Sequence, residues 1–505
     1  MRLSVTKKNL AANCVGNGWA AFIAVALIPR YVDFLGVEAW GVVGMFVSLQ
    51  AICVLLDLGL SATINRELAR LSSRHGDERE MRNLVRTLEL IYWTIGALLG
   101  VVLIALAPVI ARSWLRSAAL APEDIENAIR LMGLSVVVQW PFGLYSGGLL
   151  GLQRQVLLSG LNAGMATLRG VGTIFVLWRI APTLQAFFIC QILTNVIQTV
   201  LAACLLWRSL PPAPTASRFQ SDLLRRTWRF AAGISGITLL SIVLMQMDKV
   251  ILSRLLTLEH FGYYVLAGAV ATSIYFLIVP VFSALSPRFT QLVSQGDEAG
   301  LKILYHQGCQ LMSVLILPVS VVLALFSKEV LFLWTGNPTI VDNAHLLLTI
   351  LVAGMAINGL VNLPYAVQLA YGWTRLAFFV NLAAVLTLIP LMILMTSAYG
   401  AVGAALICVI MNSVLLLFCI PMMHRRLLKG EQWRWCFEDI GLPLAVSLVA
   451  ALFCWELVPR SGSRFQLLLV LAGVTFFSSG ATFLATPVTR RALLGYMSTQ
   501  REKEP

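Results

Sequence analysis

Apolar residues along the 505-residue chain come in long blocks separated by short polar breaks. Fourteen such blocks stand out, over roughly residues 10–35, 40–64, 87–111, 127–151, 155–178, 183–207, 230–256, 261–286, 308–333, 343–367, 375–397, 400–423, 439–458 and 465–486. At 1.5 Å rise per residue, a helix needs about 20 apolar residues to cross the hydrocarbon core. Each block therefore predicts one membrane-spanning helix, and the short breaks predict antiparallel neighbours. The expected fold class is an all-α polytopic membrane protein with no soluble domain larger than a loop.

The pattern repeats. L-G-V-E-A-W-G-V-V at 35–43 aligns with L-T-L-E-H-F-G-Y-Y at 256–264, and I-N-R at 64–66 with L-S-P-R at 285–288. Asn162 then falls opposite Asn381 and Asn195 opposite Asn412, at offsets of 217–222 residues throughout. A constant offset over several spans predicts two six-helix bundles of parallel topology. The expected organisation is a bundle over 1–208, a cytoplasmic linker over 209–229, a second bundle over 230–424, and two additional helices with a tail over 425–505. The linker contains Pro211, Pro212 and Pro214, which cannot continue a helix.

Composition agrees: 58% hydrophobic, 12% charged, mean hydropathy +0.82. The net charge of +13 would suggest nucleic acid in a soluble protein. Here the Lys and Arg residues lie in alternate loops, 26 on one side against 8 on the other, which is a topology signal. It predicts both termini and the 65–86, 208–229 and 424–437 loops on the cytoplasmic side. Nucleic acid is not an expected partner. The nine cysteines and five histidines (His75, His260, His306, His345 and His424) show no metal or disulfide spacing. No metal, cofactor or catalytic residue is expected.

Several motifs carry a family resemblance: Asn9 and Asn13 in N-x3-N, P-R before L-G-V-E-A-W-G at 35–41, D-L-G-L-S at 57–61, N-R-E-L-A at 65–69, and the second copy at 256–264. The chain resembles the polysaccharide and oligosaccharide-lipid flippases of the multidrug/oligosaccharidyl-lipid/polysaccharide exporter superfamily, of the O-antigen or exopolysaccharide repeat-unit type. The likeness covers about residues 1–430 in detail and the last two helices only in hydropathy. It implies two bundles in a V, a bacterial inner-membrane location, a polyprenyl-pyrophosphate-linked oligosaccharide as substrate, and polymerase or assembly proteins as partners. It implies transport, not catalysis.

Charges inside the apolar blocks are the candidate chemistry, because a charge at a helix centre costs about 2.5–3.5 kcal/mol on insertion scales and usually faces a polar interior. Arg169 lies midway along its block, Arg30 in the outer third of the first, and Lys249 in the outer half of the seventh. These three cations would suit an anionic pyrophosphate. Arg30 and Asp33, three residues apart, can instead pair with each other. Asp248 and Lys249 are adjacent and are expected to point in different directions. Asp57 is a candidate for ion coupling, as is Asp248; a pair between Asp57 and Arg66 is equally open. Gln139, Asn162, Asn195, Asn358, Asn362, Asn381 and Asn412 are candidates for sugar contacts, or for helix-to-helix hydrogen bonds. Gly96–Gly100 and Gly147–Gly151 suggest close helix packing. A multidrug exporter of the same fold is the alternative reading, although three cations against two acids in the cleft favour an anionic substrate. A glycosyltransferase or polymerase would need a carboxylate constellation or large outer loop that the sequence lacks.

Overall fold

The computed structural model describes residues 16, 18–57, 59–72, 77–212, 218–220, 244, 246–457 and 463–487. Among them the protein is all-α, with one isolated bridge between Arg116 and Thr257 and no strand. Helices satisfy every backbone polar group within the segment, as a hydrocarbon environment demands. Among the described residues, eleven helices are long and apolar enough to cross a membrane, from Gly18–Leu35 to Arg464–Ala485. One of them, Thr374–Arg426, is 53 residues long and contains two predicted spans. They meet at Gly400, whose φ of 60° and ψ of −142° suit a residue without Cβ. Val37–Leu56, with 20 residues, is a shorter apolar helix over Val37–Cys53. Most of the predicted 230–256 span lies outside the described residues, as do Asn9, Asn13 and most of the 209–229 linker. Fourteen predicted spans thus meet eleven qualifying helices. This is a multi-pass membrane protein.

The chain divides into two compact units, Met1–Gly262 and Tyr263–Pro505. The first is built on buried Leu60, Ile64, Leu88, Tyr92, Leu144 and Leu206. Its glycines serve close approach. A Cβ on Gly147 would stand 2.5 Å from the Ser61 carbonyl oxygen, and one on Gly151 2.5 Å from that of Asn65, so the Phe142–Gly151 helix crosses Leu60–Leu71 backbone to backbone. The repeated motif packs on itself. A Cβ on Gly41 would meet the Leu258 carbonyl oxygen at 2.6 Å, and one on Gly262 would meet that of Val37 at 2.3 Å. Each copy offers its glycine to the other at the same register. The Leu258 amide also donates to the Arg116 carbonyl at 2.8 Å, and the Trp114 indole to Ser253 Oγ at 3.1 Å. These contacts carry residues up to 262 into the first unit, past the proline-rich linker.

In the second unit, the Glu298–Leu325 helix is central. Val321, Val322 and Phe326 pack against Ala451 of Leu442–Leu457 and against Leu471 and Val474 of Arg464–Ala485. Ser447 and Thr482 hydroxyls meet at 2.9 Å between the last two helices. Small polar residues that satisfy each other allow such helices to approach closely in lipid.

Candidate functional site

The first unit holds a partly buried polar network around Arg169, on the Gln155–Arg179 helix. Its Nη2 donates to Asn195 Oδ1 at 2.8 Å and to Gln198 Oε1 at 2.7 Å. Asn195 Nδ2 donates onward to Ser135 Oγ at 2.9 Å and Gln139 Oε1 at 3.3 Å. Gln198 Nε2 donates to Asn162 Oδ1 at 3.2 Å, and the Gln50 side-chain amide also donates to Gln139 Oε1. The spacings make this possible: Ser135 and Gln139 are i, i+4 and Asn195 and Gln198 are i, i+3, each pair on one helix face. Beside it, the Tyr31 hydroxyl donates to the Gly170 carbonyl at 3.1 Å.

Arg169 is the feature of chemical interest. Its partners are neutral amides, and no carboxylate lies within ion-pair distance of it among the described residues. Its Nε is buried without a hydrogen-bond partner. A guanidinium carries five N–H donors in a rigid fork, and here two amide oxygens occupy one nitrogen. The charge itself is uncompensated, which is the state that welcomes an anion.

The other predicted cations are placed differently. Arg30 is exposed and lies 3.4 Å from Asp33 Oδ2. Lys249 Nζ lies 3.5 Å from Asp248 Oδ1 and 3.5 Å from Gln246 Oε1. Asp248 and Lys249 therefore do not diverge as their adjacency suggests: the long lysine stem lets the ammonium fold back to its neighbour. Among the described residues, Arg169 alone of the three has no acid of its own.

Asp57 sits at the turn before Leu60–Leu71. Its Oδ2 accepts from the Ser61 amide at 3.1 Å and hydroxyl at 2.7 Å, and its Oδ1 accepts from the Tyr92 hydroxyl. Arg66 turns instead to Glu67 at 2.6 Å, which also receives Arg70 at 2.9 Å. Partial burial opposes ionisation of Glu67, but these two arginine hydrogen bonds outweigh it and hold its carboxyl below the ordinary range. A second membrane acid, Glu89, accepts from the Tyr145 hydroxyl at 2.7 Å and pairs with Arg86 at 2.7 Å; the sequence reading passed it over.

The second unit has an uncharged network. The Tyr275 hydroxyl donates to Asn358 Oδ1 at 2.8 Å, and Asn358 Nδ2 to Asn412 Oδ1 at 2.8 Å. Asn362 Nδ2 donates back to the Asn358 carbonyl at 2.8 Å, and Asn412 Nδ2 to the Cys408 carbonyl at 2.9 Å. Asn381 is half-buried and lies before the Gly400 break, on the span preceding that of Asn412. Two histidines that looked scattered are neighbours here: Tyr305 packs against both His306 and His424, with ring centroids 5.3 and 5.7 Å away. The signal available was the polar stripe Lys302, His306 and Gln310, at i, i+4 and i+8. Among the described residues no histidine, cysteine and carboxylate group is arranged to hold a metal.

Comparison with known proteins agrees with this architecture. The family model described as polysaccharide biosynthesis protein matches residues 33–338. A Shigella flexneri protein named "Putative O-antigen transporter" is 22% identical over 413 residues, covering 81% of this chain and 96% of that protein. The lipid II flippase MurJ in an inward closed conformation superposes with a TM-score of 0.72 at 12% identity, covering 96% of this chain and 99% of MurJ. An inward-facing multidrug resistance MATE family transporter of the MOP superfamily gives 0.63 at 15% identity, covering 81% and 96%. The fold is that of the transporters of this superfamily, and the chain belongs to the polysaccharide biosynthesis protein family.

Proposed function

We propose that this protein moves a polyprenyl-pyrophosphate-linked oligosaccharide across the bacterial inner membrane by alternating access, for O-antigen or exopolysaccharide synthesis. Both termini lie in the cytoplasm, and no bond is made or broken. The supporting observation is Arg169, a half-buried guanidinium with a buried Nε, held by Asn195 and Gln198 without an acid among the described residues. A diphosphate presents the oxygens that its unused donors require. Gln139 and Asn162, in the same network, are assigned to sugar hydroxyls or to holding the arginine. Asn358, Asn362, Asn381 and Asn412 are assigned to further sugar contacts. Arg30 and Lys249, each beside an acid, are assigned a secondary part in attracting the headgroup. Asp57 and Asp248 are the coupling candidates, and a charge moved through 100 mV gains about 2.3 kcal/mol.

The second reading, a cation-coupled multidrug exporter, is favoured by the likeness to the MATE transporter. An organic cation would need a free buried acid, yet Asp57 is taken up by Ser61 and Tyr92 and Glu89 by Tyr145 and Arg86.

Proteoliposomes separate the readings. Arg169→Gln keeps a polar side chain but removes the charge. Charge-assisted hydrogen bonds contribute about 1.5–3 kcal/mol, so translocation of lipid-linked oligosaccharide should fall about tenfold or more. Unchanged glycan translocation in Arg169→Gln, or efflux of cationic dye by the wild type with no glycan movement, would overturn the proposal.

A further inference from the structure

The second unit contains a buried charged cluster that belongs to neither amide network. Lys302, His306 and Gln310 share one stripe of Glu298–Leu325. Facing them are Glu431, in the loop before the last two helices, and Asp439, in the Trp435–Gly441 turn that leads into Leu442–Leu457. His306 Nδ1 lies 2.6 Å from Asp439 Oδ2, and Nε2 lies 3.1 Å from Glu431 Oε2. The remaining oxygens are occupied as well: Gln310 Nε2 donates to Asp439 Oδ1 at 2.9 Å, and Lys302 Nζ reaches Glu431 Oε1 at 3.1 Å. Asp439 is fully buried and His306 nearly so.

A neutral imidazole has one N–H and one lone pair, whereas imidazolium donates from both nitrogens. With a carboxylate oxygen against each ring nitrogen, a neutral ring would turn a lone pair towards an anion. The charge count agrees. Lys302 and Glu431, both partly exposed, offset each other, and one proton on His306 balances the buried Asp439 carboxylate.

Of the neighbouring groups, Arg434 is felt at Asp439 through space but is itself paired with Glu438 at 3.1 Å. His424 donates from Nδ1 to the Ile420 carbonyl at 3.0 Å and receives the Tyr305 hydroxyl at Nε2, also at 3.0 Å, which is the pattern of a neutral ring. Cys309 and Cys436, also near Asp439, are free thiols.

We propose that His306, Asp439 and Glu431 form a proton-binding site in which the bound proton makes His306 an imidazolium bridging the two carboxylates. While filled, the site fastens residues 431–441, and through them the last two helices, to Glu298–Leu325. The proposal does not depend on the transport reading.

The test uses the full chain in lipid nanodiscs with 15N-labelled histidine. The difference spectrum against His306→Gln assigns the His306 ring. Both its nitrogens should carry protons at neutral pH, and the second proton should be lost in Glu431→Gln, a change at the more accessible end of the cluster. The thermal unfolding midpoint of the wild type should fall as the pH is raised through the titration of the site, and that slope should vanish in Asp439→Asn. A single neutral tautomer of His306 at neutral pH, or an alkaline slope that persists in Asp439→Asn, overturns the proposal. If His306→Gln does not fold, 13C labelling of His306 alone among the histidines, with the other four changed to Gln, makes the same assignment.

Discussion

The two polar networks occupy corresponding parts of the two repeats, yet only one is charged. In the first unit, Asn195 receives a hydrogen bond from Arg169. In the second, its repeat counterpart Asn412 receives one from Asn358. At the offset that relates Asn162 to Asn381, Arg169 falls on Leu388, which is buried. An asparagine chain between helices is self-sufficient, since each amide both donates and accepts. A guanidinium cannot be satisfied in the same way, because amide oxygens meet its donors without cancelling its charge. Retaining it in only one unit is therefore an asymmetry that packing alone does not require. Arg169 and Gln198, which fall on leucines at the repeat offsets, make the first network chemically distinct from the second.

The strongest way to break the comparison is to move the charge. The double variant Arg169→Leu with Leu388→Arg conserves composition, but it places a cation at a helix position without the Asn195–Gln198 pair. Insertion of that helix should cost about 2.5–3.5 kcal/mol more, measured with a glycosylation-reporter insertion assay. Glycan translocation should not return. Full recovery would make the two units interchangeable.

Tyr92→Phe tests Asp57, one of the acids of the first unit. It leaves the half-buried Asp57 Oδ1 without its hydroxyl donor, and a fully buried orphaned acceptor would cost about 1–3 kcal/mol, the upper bound here. The thermal unfolding midpoint should drop, more than for a change in the uncharged network. There, a double-mutant cycle over Asn358→Leu and Asn412→Leu should give a coupling of only about 0.6 kcal/mol, the average for such bonds in membrane helices.

Acid pH offers a further contrast. Partial burial of Glu431 opposes its ionisation, but hydrogen bonds from Lys302 and His306 outweigh that, and its carboxyl lies below the ordinary value of 4.5. A depressed folded-state value means the carboxylate stabilises the fold above the unfolded-state value. That contribution is lost as the pH falls through the lower folded-state one. Unfolding followed between pH 6 and 3 should show an acid-side loss that Glu431→Gln flattens. The smallest effect belongs to Arg30→Gln: its exposed pair with Asp33 is worth about 0–1 kcal/mol, and stability should barely change.

Apolar blocks of helix-spanning length announced the all-α membrane fold, because hydrocarbon leaves the backbone no other economical way to satisfy itself. The offset between repeats picked out the two copies of the motif at 35–43 and 256–264, but not that they pack on each other, which is seen only in the close approach of Gly41 to Leu258 and of Gly262 to Val37. Even the members of the first network were legible one by one: Gln139, Asn162, Arg169 and Asn195 are polar residues at depths where lipid would reject them. Their assembly was not legible, because side chains on separate helices meet only when crossing positions fix which faces touch. The same limit hid the His306–Asp439–Glu431 cluster, whose histidine is 125 and 133 residues from its acids. It also concealed that Lys249 folds back on Asp248, a choice of rotamer that helical direction does not dictate. The chain alone determined that charges would be buried, since hydrophobicity and length are properties of a string. Which of those charges would be left without a counter-ion was decided by the tertiary structure, because compensation is a matter of distance.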